Sequence, residues 1–269
     1  MFIGREGDGP GEFRAPARIA VTDTLVHVID GGRSSLQQYR LDGTHVADHR
    51  IGDAMVSGGE VSREGAVIVP TSGTDSALAR LYSLAGSTRR IGAPIVPWKT
   101  WDLVAMKAEI AKGRVPDQLR NDAVPAFGAD DTIWLLVQTE AEVRRYDADG
   151  RLVWRRVLDV PEIQEARREF FRRNAAEDRP MAVSPLRTMT AAREVGDRLW
   201  VLMHGESGTR RAVFYVLDRD NGHVVGRVSV DVPDAVNRFA IDATRGKLYL
   251  AVPNEASELA VDVGELLRR

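Results

Sequence analysis

Five histidines are the first residues to weigh for chemistry: His27, His45, His49, His204 and His223. None stands in an HExxH pair or another close ligand spacing. His45 and His49 are four residues apart, but their segment reads as a strand, where that spacing leaves them roughly 13 Å apart on one face. A metal site is therefore not expected there. His204 ends an apolar strand and is a candidate binding residue. Carboxylates are numerous but scattered. Asp130-Asp131, Asp147/Asp149 and Asp218/Asp220 all fall in turn sequences, where Asp bonds its own backbone. Asp147-x-Asp149 lacks the Gly and terminal Glu of a calcium loop. Gly7-x-Gly9-x-Gly11 lacks the spacing of a nucleotide loop and precedes a strand. Gly205-Glu-Ser207-Gly208 has the wrong spacing for a nucleophile elbow and reads as a tight turn. Cysteine is absent, which removes disulfides, thiolate metal sites and cysteine nucleophiles. No catalytic residue, metal ligand or cofactor is assigned.

The elements that would position a site are repeated. Five short segments rich in β-branched and aromatic residues follow turn signals: Thr24–Asp30, Gly65–Thr71, Thr132–Gln138, Arg198–His204 and Lys247–Pro253. A Tyr-x-x-x-Gly spacing then recurs at Tyr39–Gly43, Tyr82–Gly86 and Tyr146–Gly150, with a looser copy at Leu217–Gly222. The Asp-Gly and Asn-Gly pairs suit tight hairpins because Gly and Asn accept positive φ. A more polar strand follows each hairpin: 44–51, 87–91, 151–158 and 223–230. Each unit thus reads as inner strand, apolar strand, hairpin strand and outer strand. Tyr39 to Tyr82 is 43 residues, the period of a β-propeller blade. An up-and-down sandwich gives no reason for a four-strand repeat. The expectation is a single all-β propeller domain over 1–269 with five visible blade units. The fifth has room for one more strand, 258–263, and residues 1–5 are expected to supply its outer strand.

Residues 3–16, Ile-Gly-Arg-Glu-Gly-Asp-Gly-Pro-Gly-Glu-Phe-Arg-Ala-Pro, resemble the blade-to-blade segment of bacterial six-bladed β-propellers related to NHL repeats. Gly4, Gly7, Gly9, Pro10, Gly11, Glu12, Phe13 and Pro16 match, with Phe13 placed to pack between blades. Val28-Ile29-Asp30 through Tyr39 is also similar, departing at Arg33 and Ser35 where the family has Asn and Arg. The clear resemblance spans about residues 1–52. It implies a six-bladed, exported parent, periplasmic or at the cell surface, in which a blade and an export signal precede this segment. Met1–Arg5 has no signal-peptide pattern, which leaves a cytoplasmic place open.

Two insertions interrupt the repeat, at about 93–122 and 159–185. Thr100–Lys112 has helical spacing ended by Gly113 and Pro116. In the second, Asp159 and Glu162 stand at capping-box spacing, and Ile163, Ala166 and Phe170 form an apolar side opposite Arg167, Arg168, Arg172 and Arg173. Both insertions join an outer strand to the next inner strand, so two neighbouring helices on one face are expected. Trp98, Trp101 and Phe170 are candidate ligand contacts there, with anchoring of the insertion as the plainer role for the tryptophans. Trp134, Trp154 and Trp200 read as core. Arg18, Arg187, Arg193 and Arg238 read as inner-strand residues, where they could line the central channel for an anionic ligand or, more plainly, form ion pairs between blades.

With 37 basic and 39 acidic residues the net charge is −2, which argues against nucleic acid as partner. No apolar run is long enough to span a membrane. The combined expectation is a monomeric, non-catalytic binding or scaffold propeller that takes a protein, peptide or glycan on the insertion face. The alternative, by fold analogy, is a metal-dependent lactonase-like hydrolase or lyase.

Overall fold

The structure, a computed structural model, describes residues 3–52, 59–175, 182–205, 210–251 and 258–264. The chain divides into two compact units, 1–93 and 94–269. In the first, β1 (Pro16–Val21), β2 (Leu25–Asp30), β3 (Ser35–Arg40) and β4 (His45–Arg50) form one antiparallel meander. β5 (Glu60–Val61), β6 (Val67–Pro70), β7 (Ala79–Tyr82) and β8 (Thr88–Ile91) form the next. Ile29 and Leu36 of the first sheet, with Ile51 just beyond β4, pack on Val67, Val69 and Tyr82 of the second.

The second unit holds three sheets. β9 (Ala123–Phe127), β10 (Ile133–Val137), β11 (Glu142–Tyr146) and β12 (Leu152–Val157) form one; β13 (Met189–Val195), β14 (Arg198–Met203), β15 (Arg211–Asp218) and β16 (Val224–Asp231) form another. β17 (Arg238–Asp242), β18 (Lys247–Ala251) and β19 (Glu258–Asp262) make a three-stranded sheet among the described residues. Apolar faces interleave from sheet to sheet: Trp134 and Val143 with Val201 and Tyr215, then Trp200 and Phe214 with Phe239 and Leu250.

The hairpin repeat is real in register. Tyr39, Tyr82 and Tyr146 each pair with the residue six positions later, His45, Thr88 and Leu152. Gly43, Gly86 and Gly150 turn these hairpins at φ 91°, 83° and 78°, a region costly for any residue with a Cβ.

Among the described residues, the two insertions form α1 (Leu103–Ala111), the short α2 (Asp117–Arg120) and α3 (Pro161–Ala175). Asp102 caps α1, its carboxylate accepting from the Ala105 N–H at 3.0 Å. Pro161 opens α3, where its missing N–H costs nothing. Met106, Ile110 and Leu119 pack on Phe170 and Leu186, so the two insertions are neighbours. The capping-box expectation at Glu162 fails, because that carboxylate turns to Tyr215 and Arg227 instead.

Candidate functional site

The Gly-rich segment near the start is a structural joint. Glu6 bridges to Phe13, and the Phe13 N–H donates to the Arg5 carbonyl at 2.8 Å. The Glu12 carboxylate closes the loop, accepting from the Gly9 N–H at 2.7 Å and the Arg5 guanidinium at 2.7 Å. The backbone N–H first, then Arg5, holds its carboxyl below the ordinary value. Gly7 sits at φ 152°, which strains any residue with a Cβ, and a Cβ there would also displace the Glu12 carboxylate that closes the loop. Pro10 and Gly11 complete the turn. Arg33, where the sequence departs from the NHL-like pattern, donates to the carbonyls of Gly9 and Glu12 at 3.0 and 2.9 Å. Phe13 packs on Tyr39 of its own sheet, ring centroids 5.8 Å apart. Asp30, fully buried, accepts from the Arg14, Ala15 and Gly32 N–H groups at 2.8, 2.9 and 3.0 Å.

The candidate binding residues do not converge. Arg18 on β1 donates to the Gly59 carbonyl at 3.0 Å. Arg193 on β13 donates to the neighbouring Ala192 carbonyl at 2.9 Å. Arg238 sits half-buried on β17 opposite Ala251. Phe170 is fully buried in the helix core, so its ring packs α3 in place and does not face solvent. Trp98 and Trp101 are 53% and 59% exposed in the loop before α1. Trp134 and Trp200 are core, as expected, and Trp154 is half-buried. Ser207 and the strand end at 252–253 lie outside the described residues, as do residues 1–2 and 176–181.

His204 does reach a cavity. A groove of about 1010 Å³ runs between α3 and strands β14–β16. Met203, Val213 and Ala166 give it an apolar floor. His204 lines it, with Nδ1 3.4 Å from the Thr190 hydroxyl. Its rim is charged. Glu162 accepts from Tyr215 at 2.8 Å and pairs with Arg227 at 2.7 Å. Burial opposes ionisation of Glu162, but the Arg227 and Tyr215 hydrogen bonds outweigh it and leave the carboxyl below its ordinary value. Glu169 is taken by Arg172 at 2.5 Å. Among the described residues, Arg211 pairs with the exposed Asp231 at 3.6 Å. Arg168 and Glu165, both exposed, have no hydrogen-bonding or ionic partner among the described residues.

Of this groove, the sequence singles out His204 and, on α3, Glu162, Arg168 and Arg172. Arg211, Arg227 and Tyr215 lie in strands more than 35 residues beyond α3, and no local spacing marks them. Among the described residues, no group of three or more His, Asp or Glu side chains is arranged to hold a metal ion.

Comparison with known proteins bears on the fold. No protein-family profile matches the chain, and no curated protein matches it in sequence. Among solved structures, a candidate exported protein of Bacteroides fragilis superposes with TM-score 0.52 and 9% identity, over 92% of this chain and 69% of that one. Kluyveromyces lactis Hsv2 superposes with TM-score 0.52 and 11% identity, over 93% and 69%. The fold is a β-propeller. At such identities the likeness extends to the fold alone, and the propeller's function rests on its own surface. No helix among the described residues is long and apolar enough to cross a membrane.

Proposed function

We propose that this propeller is a non-catalytic binding protein, of the NHL-like kind its opening segment resembles. It takes an acidic segment of a protein partner in the groove between α3 and β14–β16. The observation that carries this reading is Arg168. It stands exposed at the groove without a partner among the described residues, beside Arg172, Arg211 and Arg227 and above an apolar floor. Glu162 and Glu169 are already engaged by arginines of the chain, so among the described groove residues the cations left for a ligand are Arg168 and the loosely held Arg211, against Glu165. Guanidinium groups bind carboxylates in a bidentate, oriented way, and a floor of Met203, Val213 and Ala166 suits the apolar side chains between them. An extracytoplasmic setting belongs to the same proposal, supported by the resemblance of residues 3–16 and by the exported character ascribed to the Bacteroides fragilis protein.

Fluorescence anisotropy with an Asp/Glu-rich decapeptide and a Lys-rich counterpart tests it. The acidic peptide should bind, more weakly as salt rises. The double variant R168E/R211E should bind it at least about tenfold less well. Equal binding of both peptides, or an unaffected double variant, overturns the reading.

A further inference from the structure

Helix α1 is apolar on two sides. Met106 and Ile110 are buried against α3. The opposite side carries Val104, Ala105, Ala108 and Ala111, all exposed, with Val104 82% exposed. A helix that is apolar all round is normally covered all round. The loop before it adds Trp98 and Trp101, the most exposed of the described tryptophans. This loop is fixed. Buried Asn121 accepts from the Ile95 and Val96 N–H groups at 2.8 and 3.2 Å and donates to the Val96 carbonyl at 2.9 Å. Lys99 pairs with Asp117 at 2.6 Å, and Gln118 donates to the Thr100 carbonyl. The segment that carries the two exposed tryptophans is thus tied to Asn121 at its start and to α2 through Lys99 and Thr100.

The charge around them is unlike that of the rest of the chain. The protein uses arginine almost throughout and has four lysines, of which Lys99, Lys107 and Lys112 lie here. Residues 99–117 carry four cationic and three acidic side chains, with Lys112 and Arg114 sharing Glu109 at 3.0 and 2.9 Å, within a chain of net charge −2. Tryptophan beside exposed aliphatic surface with lysines at its flanks is the composition of a membrane-interface contact.

We propose that this surface seats the protein on an anionic lipid bilayer. Trp98 and Trp101 enter the headgroup boundary, and Val104 with the three alanines lies along it. Lys112 and Arg114 exchange their exposed, shared pairing with Glu109 for lipid phosphates, and each cation near such a surface adds at most about 1 kcal/mol of attraction. The contact is peripheral, and it is separate from the groove.

The test uses the full chain and vesicles of phosphatidylcholine with roughly a third phosphatidylglycerol, or none. Vesicle sedimentation and tryptophan emission are read together. Trp134 and Trp200 are already buried and Trp154 is half-buried, so a blue shift on binding that is lost in W98A/W101A reports Trp98 and Trp101. Partition should require the anionic lipid, fall as salt rises, and drop at least about tenfold in W98A/W101A and in V104D. These side chains are exposed, and unchanged circular dichroism of the variants shows the fold intact. Failure to bind at any anionic-lipid content, equal binding to neutral vesicles, or binding that survives W98A/W101A overturns the proposal. So does self-association through α1, seen as a concentration-dependent mass that V104D abolishes, in the absence of vesicle binding.

Discussion

Asp30 joins the Gly-rich segment to its sheet, and its replacement gives a graded test of that joint. One carboxylate oxygen accepts from Ala15 N–H and Gly32 N–H, the other from Arg14 N–H. Hydrogen bonds to a charged group are worth about 1.5–3 kcal/mol each. Removing all three in D30A also removes a buried carboxylate, whose desolvation costs several kcal/mol, so the net loss should be about 3–4 kcal/mol. In D30N the amide oxygen can keep the two bonds to Ala15 and Gly32 while its NH2 opposes the Arg14 N–H, a loss of about 1.5–2 kcal/mol. Urea denaturation followed by circular dichroism gives the ranking, and amide hydrogen exchange localises it. Both variants should exchange faster at Arg14, but only D30A should do so at Ala15 and Gly32. A D30A variant within about 1 kcal/mol of the parent, or a D30N as damaging as D30A, would refute the reasoning.

Three further outcomes follow from packing and charge. Gly222 has φ 72°, and a Cβ on it would lie 2.7 Å from the Trp154 ring; G222A should cost about 2–3 kcal/mol, seen as a lowered Tm. Glu142 and Arg144 form a buried pair at 2.9 Å, so E142Q should cost about 2–3 kcal/mol while E142L/R144L recovers most of it; chemical denaturation of both variants decides. His27 is buried beside Gln38, whose amide reaches its Nδ1 at 3.4 Å, and burial, then nearby His49, pushes its imidazole below the ordinary value. The fold favours neutral His27, so this contribution is complete above pH ~6.5 and is lost as pH falls through the lower folded value. Stability measured from pH 7 to 5 should fall less steeply in H27N.

What the sequence reveals and what it hides divide along physical lines. Strand order, hairpin turns and both insertion helices are local properties. Tyr39, Tyr82 and Tyr146 announce their hairpins because a Gly four residues on must accept positive φ, and the segment at 24–30 needs only its own β-branched residues to be a strand. The groove is different. It exists because the β15–β16 pairing brings Tyr215 and Arg227 to Glu162, contacts spanning 53 and 65 residues. That tertiary demand also draws Glu162 away from the cap its spacing suggests. Phe170 and Trp98 show the limit from the other side. Both are large apolar residues of an insertion, yet one is fully buried and the other half exposed. The difference depends on which residue α1 covers when it meets α3.

The central claim is that the α3 groove is where this propeller meets its partner. The most direct measurement is hydrogen–deuterium exchange of the full chain with and without a saturating acidic peptide. The account predicts protection concentrated at residues 162–172 and 211–213, and clearly reduced protection there in R168E/R211E at the same peptide concentration. Protection confined to residues 3–52, or a footprint unchanged in the double variant, would contradict it.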